Sequence, residues 1–296
     1  MERNGPLEVT PVALVLVLTS AVIHATWNLL AKRVGGGPST VWLFSALSAT
    51  IYAPLGIAVI LIERPTIGPI ELLFIGGSGV LHLVYFVVLQ QAYRVGDLSL
   101  IYPLARGTGP ALSTTAAILF LGERPSPLAL AGALLVVGSV FVISGGGKVL
   151  SSAGSGAGQA VAFGLSTGVV IASYTLWDKY AVATLVIPPL VFDWGLGLTR
   201  AVILTPIGLR HRDAVAAVWR DHWRAVLGIA ILSPLAYILV LTALATTPVS
   251  YIAPAREISI LIAAILGARL LAEGDSTRRL AAASTMVLGV AALALG

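Results

Sequence analysis

Long runs of hydrophobic residues follow one another along the chain, separated by short stretches that are polar or marked by Gly and Pro. A run of about 20 apolar residues is long enough to cross a bilayer as an α-helix. Most connections are short, so we expect consecutive helices to be antiparallel neighbours. Ten spans are predicted, over residues 11–31, 40–62, 72–93, 98–121, 127–144, 160–177, 189–209, 225–245, 249–271 and 280–295.

Composition places the chain among integral membrane proteins. Hydrophobic residues make up 57%, charged residues only 10%, and the mean hydropathy is +0.96, which is far from the composition of a soluble domain. The sequence contains no cysteine, which excludes disulfides and thiolate metal sites. We predict neither a metal site nor a cofactor. The basic residues are scattered among short loops, so no nucleic-acid partner is expected.

A catalytic role is not expected either. The segment GLSTG at 164–168 fits the pattern of a nucleophile elbow, but it lies inside an apolar helix with no preceding strand. Metalloprotease, phosphate-loop and dinucleotide-binding patterns are absent from the sequence. The chain is therefore predicted not to be an enzyme.

The two halves of the chain repeat a pattern. The stretches 98–123 and 249–273 each have an early Pro, an Arg about a third of the way along and a closing Glu. An odd number of spans per half would give the halves opposite orientations. We expect an all-α integral membrane fold of ten transmembrane helices, arranged as two inverted five-helix repeats around a central cavity. The predicted boundaries are 1–144 for the first repeat, 145–158 for a Gly/Ser-rich linker and 159–296 for the second repeat.

Charged residues inside the predicted spans are the first candidates for a site. A charge at this depth is costly unless it faces protein, water or a ligand. Arg106 and Arg256 each lie in a Pro-containing span, and a guanidinium fork suits a carboxylate, phosphate or phosphonate. The alternative for Arg106 is an ion pair with a carboxylate on another helix.

The two Pro-containing spans, one in each half, indicate a transport site between the repeats. Two acidic residues, Glu257 and Asp193, are candidates to bind the ion that is coupled to transport. Glu257 is the better placed, and the alternative is that Arg106 or Arg200 neutralises it. Asp193 and Arg200 lie two turns apart on one helix face, too far apart to pair directly. Counting Arg106, Arg200 and Arg256 against the two carboxylates leaves one positive charge, which favours an anionic or zwitterionic solute.

Polar and aromatic residues complete the predicted substrate pocket. His24, Trp27 and Asn28 share one helix face, and they would contact either a substrate or a neighbouring helix. His82 is a candidate proton relay or a satisfied buried donor. Asp178 is expected at the membrane interface. The remaining predicted contacts are Tyr85, Tyr102, Tyr174, Trp177, Tyr237 and Tyr251, and an aromatic set of this kind could instead cage an organic cation.

Residues 210–224 mix both charge signs with two Trp residues, which predicts an amphipathic segment at the lipid headgroups. The Lys and Arg residues at the predicted helix ends are concentrated on the side opposite the termini, which by itself puts the termini outside the cytoplasm.

Several motifs resemble the drug/metabolite transporter superfamily, specifically its EamA-like permeases. These are a Lys closing the first helix of each half (Lys32 and Lys179), the LGER motif at 121–124, and HATWNLLAK at 24–32. The second half departs from the pattern, with LAEGD at 271–275. The resemblance implies a ten-helix inverted-repeat fold, transport of small organic solutes by alternating access, and cytoplasmic termini, in disagreement with the charge distribution.

The expected function is therefore secondary transport of a small organic metabolite, such as an amino acid, organic acid or phosphonate. We expect a multi-pass protein of the prokaryotic plasma (inner) membrane, in contact with lipids, coupled to a proton or sodium ion, and either monomeric or homodimeric. The alternatives are a flippase for a lipid-linked substrate, an organic-cation or drug transporter, and a membrane scaffold.

Overall fold

A computed structural model describes residues 10–34, 37–95, 98–143, 157–262 and 276–296. The regular structure of these residues is entirely helical, and residues 258–262 form a short helical segment after α9. The helices are α1 (Pro11–Val34), α2 (Pro38–Glu63), α3 (Pro69–Val95), α4 (Leu98–Phe120), α5 (Pro127–Ile143), α6 (Ala157–Ala183), α7 (Pro189–Arg210), α8 (Arg212–Thr246), α9 (Val249–Ala255) and α10 (Ser276–Leu295).

Most of the predicted helix ends are confirmed to within a few residues. Four of the helices begin at a Pro that follows a short connection, namely Pro38, Pro69, Pro127 and Pro189. Proline is favoured at the first helical position because that N–H has no intrahelical partner and φ is already helical. Local sequence therefore determines where these helices begin.

One difference concerns α8, which begins at Arg212 rather than at the predicted residue 225. The predicted span 249–271 is interrupted at residues 256–257, and its predicted end lies outside the described residues. The predicted amphipathic segment forms the first turns of α8, and a non-helical His222 (φ −136°, ψ 21°) separates it from the apolar part. Trp219 and Trp223 remain exposed. The segment is thus helical, and its break at His222 marks the change from polar to apolar sequence.

Six of the described helices are long and apolar enough to cross a membrane, as judged by length and composition. They are α1, α2, α3, α6, α7 and α8. Residues 127–140 and 284–295 add two shorter apolar helices. Backbone groups in hydrocarbon must be satisfied within the segment, which helices achieve. These features are those of an integral, multi-pass membrane protein.

The chain forms two compact units. Of the described residues, those within 1–18, 84–176 and 246–296 form unit 1, and those within 19–83 and 177–245 form unit 2. Each unit draws on both halves of the sequence. The units therefore divide the chain differently from the predicted repeats, whose boundaries stay a prediction.

In unit 1, α5 packs against α10 through two glycines. A Cβ at Gly132 would lie 2.6 Å from the carbonyl oxygen of Gly289, and a Cβ at Gly289 would lie 2.8 Å from that of Gly132. Only glycine allows the two backbones to approach this closely. Helix α4 packs against α5 and α9 in the same unit.

In unit 2, α2 and α7 pack along their length, with tryptophans of each helix lying over glycines of the other. Trp194 lies over Gly56, and Trp42 lies over Gly208. From the contact of Trp42 with Gly208 to that of Trp194 with Gly56, the residue number increases in α2 (42 to 56) and decreases in α7 (208 to 194), so the helices are antiparallel. Both indoles also donate hydrogen bonds across the contact, Trp194 to the Ala49 carbonyl at 2.8 Å and Trp42 to Thr205 Oγ1 at 3.2 Å.

Candidate functional site

Helix α9 is interrupted in unit 1 at Arg256 and Glu257, which form a turn before the chain becomes helical again at residue 258. Pro254, at the end of α9, has no N–H and disfavours the α-helical ladder around it. The turn is held by bonds to the third preceding residue, from Glu257 N to Pro254 O at 3.0 Å and from Ile260 N to Glu257 O at 2.9 Å. This tighter winding places two charged residues at a helix break.

Glu257 forms an ion pair with Arg106 of α4. The Arg106 Nε and Glu257 Oε2 atoms are 3.0 Å apart, and the two side chains are only 12% and 4% exposed. Arg106 Nη2 also donates to Ser259 Oγ at 3.4 Å. Because each charge neutralises the other, burial of both becomes tolerable.

A narrow cavity of about 10 Å³ lies beside this pair. It has room for a single water molecule, and an organic solute would need more space. Two guanidinium groups and one carboxylate line the cavity, together with a tyrosine ring and hydroxyl groups. The lining residues are Arg106, Pro110, Ser113, Ile171, Tyr174, Thr175, Ala253, Arg256 and Glu257.

A second cavity of about 10 Å³ lies within unit 2, between α2, α7 and α8. It also combines a carboxylate, Asp193, with a guanidinium, Arg200, and lies beside a proline inside a helix, Pro234. Asp193 is only 5% exposed. The other lining residues are Ser48, Ala49, Tyr52, Trp194 and Gly197.

A third polar cluster in unit 2 centres on Asp178 at the end of α6. Its side chain is fully buried and accepts a hydrogen bond from the Tyr237 hydroxyl. The Tyr237 ring makes an edge contact with His82, with centroids 5.3 Å apart, and His82 Nδ1 lies 2.9 Å from the Ser78 carbonyl oxygen. The position of Asp178 at the membrane interface stays a prediction; within the protein, its carboxylate is buried and bonded to Tyr237 of α8.

Comparison with known proteins gives a match over the first half of the chain. The model of the EamA-like transporter family matches residues 11–145, which include α1 to α5 and Arg106. The resemblance read from the sequence motifs is thereby confirmed, and it supports transport of small solutes across a membrane.

A crystal structure described only as that of a protein is also similar. It has 18% sequence identity and a TM-score of 0.73, over 96% of this chain and 98% of that one. At this identity the likeness shows the fold alone. No curated protein matches the chain.

The predicted site residues of unit 1 fall into two groups. Arg106, Tyr174, Arg256 and Glu257 come together around the first cavity. Tyr85 joins them indirectly through an edge contact with Tyr174, with ring centroids 5.9 Å apart.

Two predicted tyrosines do not join this group. Tyr251 is 1% exposed, but its hydroxyl accepts from Ser126 N at 3.4 Å and donates to the Gly296 carbonyl at 3.2 Å. These bonds tie α9 to the start of α5 and to the chain end, so the side chain is directed away from the cavity lining. The Tyr102 side chain lies outside the described residues.

The predicted residues of α1 and α6 in unit 2 contact groups of their own helix or of a neighbouring helix. His24 and Trp27 make an edge contact, with ring centroids 4.9 Å apart. Asn28 is exposed, and its amide donates to the His24 carbonyl of its own helix at 2.9 Å. Trp177 donates to the Phe74 carbonyl at 2.8 Å and stacks on that ring. These are contacts to protein groups, and the roles of Asn28 and Trp177 as pocket contacts stay a prediction.

Sequence reasoning missed the roles of Glu123, Ser48 and Tyr52. Glu123 appeared only as a marker of the repeat, yet it is buried and binds the start of α9. The two hydroxyl residues lie one turn apart on α2 within an apolar run, which is a weak signal for a polar lining. Their significance depends on Pro234, which lies far away in the sequence.

Proposed function

We propose that the protein is a secondary transporter that moves a small organic anion or zwitterion across the membrane by alternating access. The observation that carries the proposal is the buried Arg106–Glu257 pair beside Arg256 in the first cavity. The fold and the family match support transport in general, and the charges of the cavity support the substrate class.

The contact with Glu257 indicates which chemical groups Arg106 can bind. The Glu257 carboxylate lies 3.0 Å from the guanidinium Nε, which is the separation expected for a charge-assisted contact with a carboxylate. A carboxylate or phosphonate group of a solute would make the same contact in place of Glu257. The pair would thus hold Arg106 in position when no solute is bound.

The net charge of the cavity favours an anionic group over a cationic one. Two guanidinium groups, Arg106 and Arg256, face one carboxylate, Glu257. An organic cation would add positive charge to a buried site that already has an excess. Solutes with a carboxylate or phosphonate would instead balance it, with a zwitterion's ammonium group able to contact Glu257.

The cavity must widen before a solute enters, since its volume is about 10 Å³. The turn at Arg256 and Glu257 is a natural place for such a change, because interrupted helices line transport sites in membrane proteins. We further propose that the helices form ten spans in two inverted repeats, as the sequence predicts, in a prokaryotic inner membrane.

A thermal-unfolding screen of the purified protein in detergent tests the substrate class. The panel contains amino acids, organic acids, phosphonates, quaternary amines and lipid-linked phosphates. An anionic or zwitterionic solute is expected to raise the unfolding temperature of the wild type, because a ligand that binds only the folded state stabilises it. Uptake of that solute into proteoliposomes then tests transport.

Three variants make the screen specific for Arg106. Arg106→Gln should abolish the stabilisation, and Arg106→Lys should weaken it, because lysine retains the charge without the fork. The control is Arg220→Gln, since Arg220 is exposed and pairs with its neighbour Asp221. Stabilisation only by quaternary amines, or by an anion equally well in wild type and Arg106→Gln, would reject the proposal. Stabilisation only by lipid-linked phosphates would favour a flippase.

A further inference from the structure

The described part of the chain has four buried carboxylates, and one differs from the others. Glu257 pairs with Arg106, Asp178 accepts from Tyr237, and Glu123 accepts two backbone N–H groups. Asp193 is 5% exposed and has no hydrogen bond or ion pair among the described residues. Its electrostatic interaction with Arg200 is not a direct contact, and a buried carboxylate without a direct partner is costly by several kcal/mol.

The hydroxyl groups around the second cavity cannot supply that partner. Pro234 has no N–H, so the Ala230 carbonyl lacks its usual helical donor. The single Ser48 Oγ proton is shared between this carbonyl, at 2.8 Å, and the Phe44 carbonyl of its own helix, at 2.7 Å. The Tyr52 hydroxyl donates to the Ile231 carbonyl at 2.7 Å. With their protons used in this way, both hydroxyl oxygens offer only lone pairs to the cavity.

The cavity therefore presents acceptor oxygens around a buried negative charge, in a volume of about 10 Å³. That volume suits one water molecule or one small ion. Half-buried Arg200 lies on the same cavity, but its Cα is about 10 Å along the helix axis from that of Asp193. We propose that Asp193, with the Ser48 and Tyr52 oxygens, binds one small monovalent cation, either a proton or a sodium ion.

Several charged or titratable groups surround Asp193, and their interactions with the carboxylate compete with cation binding. They are Arg200 on α7 itself, Tyr52 on α2 and Asp178 on α6, with Tyr237 of α8 near Arg200. Arg200 interacts electrostatically with Asp193 without a direct ion pair, and this longer-range interaction would balance the carboxylate when no cation is bound. The Arg200 Nε atom is buried without a hydrogen-bond partner among the described residues, consistent with such a change of partner.

The cation would be the coupling ion of the transport cycle, and this part of the inference rests on the proposed function. Binding of the cation to Asp193 releases Arg200 from its role as counter-ion. Cation binding to Asp193 and the release of Arg200 then depend on each other. The charge that unit 2 presents therefore changes when the cation binds. Binding itself requires no organic solute, which allows it to be tested separately.

The test follows thermal unfolding of the full chain in detergent while sodium chloride replaces choline chloride at constant ionic strength and pH. For a sodium site, the wild type should show a saturable rise in unfolding temperature that is absent in Asp193→Asn. For a proton site, sodium should have no effect. The infrared C=O band of a protonated carboxyl should then be present in the wild type and lost in Asp193→Asn, but retained in Asp178→Asn.

Two further variants keep the test decisive if Asp193→Asn does not fold. Tyr52→Phe retains the carboxylate and removes one oxygen ligand, so it should weaken sodium binding about tenfold or, for a proton site, shift the carboxyl band. Tyr180→Phe is the control, because that side chain is exposed. If both the sodium response and the carboxyl band are the same in the wild type, Asp193→Asn and Tyr52→Phe, the inference is overturned. No solute is present, so this result is independent of the solute screen.

Discussion

The carboxylate of Glu123, just after α4, binds the backbone N–H of Val249, the first residue of α9, at 2.7 Å. Its second oxygen accepts from the N–H of Ser250 at 2.9 Å. The first N–H groups of a helix have no intrahelical acceptors, and negative charge is favourable there. Glu123 therefore caps the helix whose break holds Arg256 and Glu257, so a residue far from the cavity positions the charged turn.

Replacing Glu123 should destabilise the protein strongly. Glu123→Ala removes a buried acceptor and leaves two N–H groups unsatisfied, which should lower the free energy of unfolding by about 3 kcal/mol. The measurement is equilibrium unfolding in mixed detergent. The matched control is Glu71→Ala, which removes a 2.7 Å bond to Gly68 N at a less buried site and should cost about 1 kcal/mol or less. Equal losses in the two variants would contradict the assigned cap.

The Arg106–Glu257 pair should show strong energetic coupling. Arg106→Gln and Glu257→Gln each leave one buried charge unpaired and should each cost about 3–5 kcal/mol. The double variant removes both charges, so its loss should be smaller than the sum by roughly 2 kcal/mol. A double-mutant cycle on the free energy of unfolding measures this difference. Additive losses would mean that the two side chains do not interact in the folded protein.

The contact between Gly132 and Gly289 should tolerate no side chain. Gly132→Ala would place a Cβ 2.6 Å from the Gly289 carbonyl oxygen, and backbone atoms cannot move aside as a side chain can. The expected cost is about 2 kcal/mol, measured as the shift in the unfolding midpoint. Gly76→Ala is the matched control, because its Cβ would meet nothing within 4 Å. It should be neutral or stabilise the helix by up to about 1 kcal/mol.

The hydrogen bond from Tyr237 to Asp178 should contribute more than an ordinary surface tyrosine contact. Tyr237→Phe retains the ring against His82 and removes only the donor to a buried carboxylate, so a loss of about 2 kcal/mol is expected. Thermal and denaturant unfolding measure it. Tyr180→Phe, at an exposed ring stacked on Phe74, should change the unfolding free energy by less than about 0.5 kcal/mol. A neutral Tyr237→Phe would rule out a stabilising role for the bond.

The helix positions were largely predictable because they depend on local sequence. A run of about 20 apolar residues must satisfy its own backbone hydrogen bonds in lipid, and a Pro after a short connection indicates the first turn. Such cues located the starts of α2 and α7 to within a few residues. The start of α8 was predicted at residue 225, whereas the helix begins at Arg212, within the predicted amphipathic segment. There the sequence offered helix-forming residues but no clear stop.

The site was predictable only in part. A charged residue within an apolar span needs a partner. This rule identified Arg106, Glu257 and Asp193 from the sequence. Which partner each one obtains depends on the rotation of every helix about its axis. Helices that are apolar on all sides carry little sequence information about that rotation. Asp178 shows the consequence, since its local sequence does not indicate that its carboxylate is buried and bonded to Tyr237 of a distant helix.

By itself, the sequence determined that this is a helical membrane protein, where most of its helices begin, and which charges are too costly to leave unpaired. These properties follow from interactions within one segment. Only the tertiary structure decided that Glu257 pairs with Arg106, that Glu123 caps α9, and that Asp193 shares a cavity with Ser48 and Tyr52, whose hydroxyl protons are donated to backbone carbonyls. Each of these contacts joins segments far apart in the chain, where the packing of helices sets the distances.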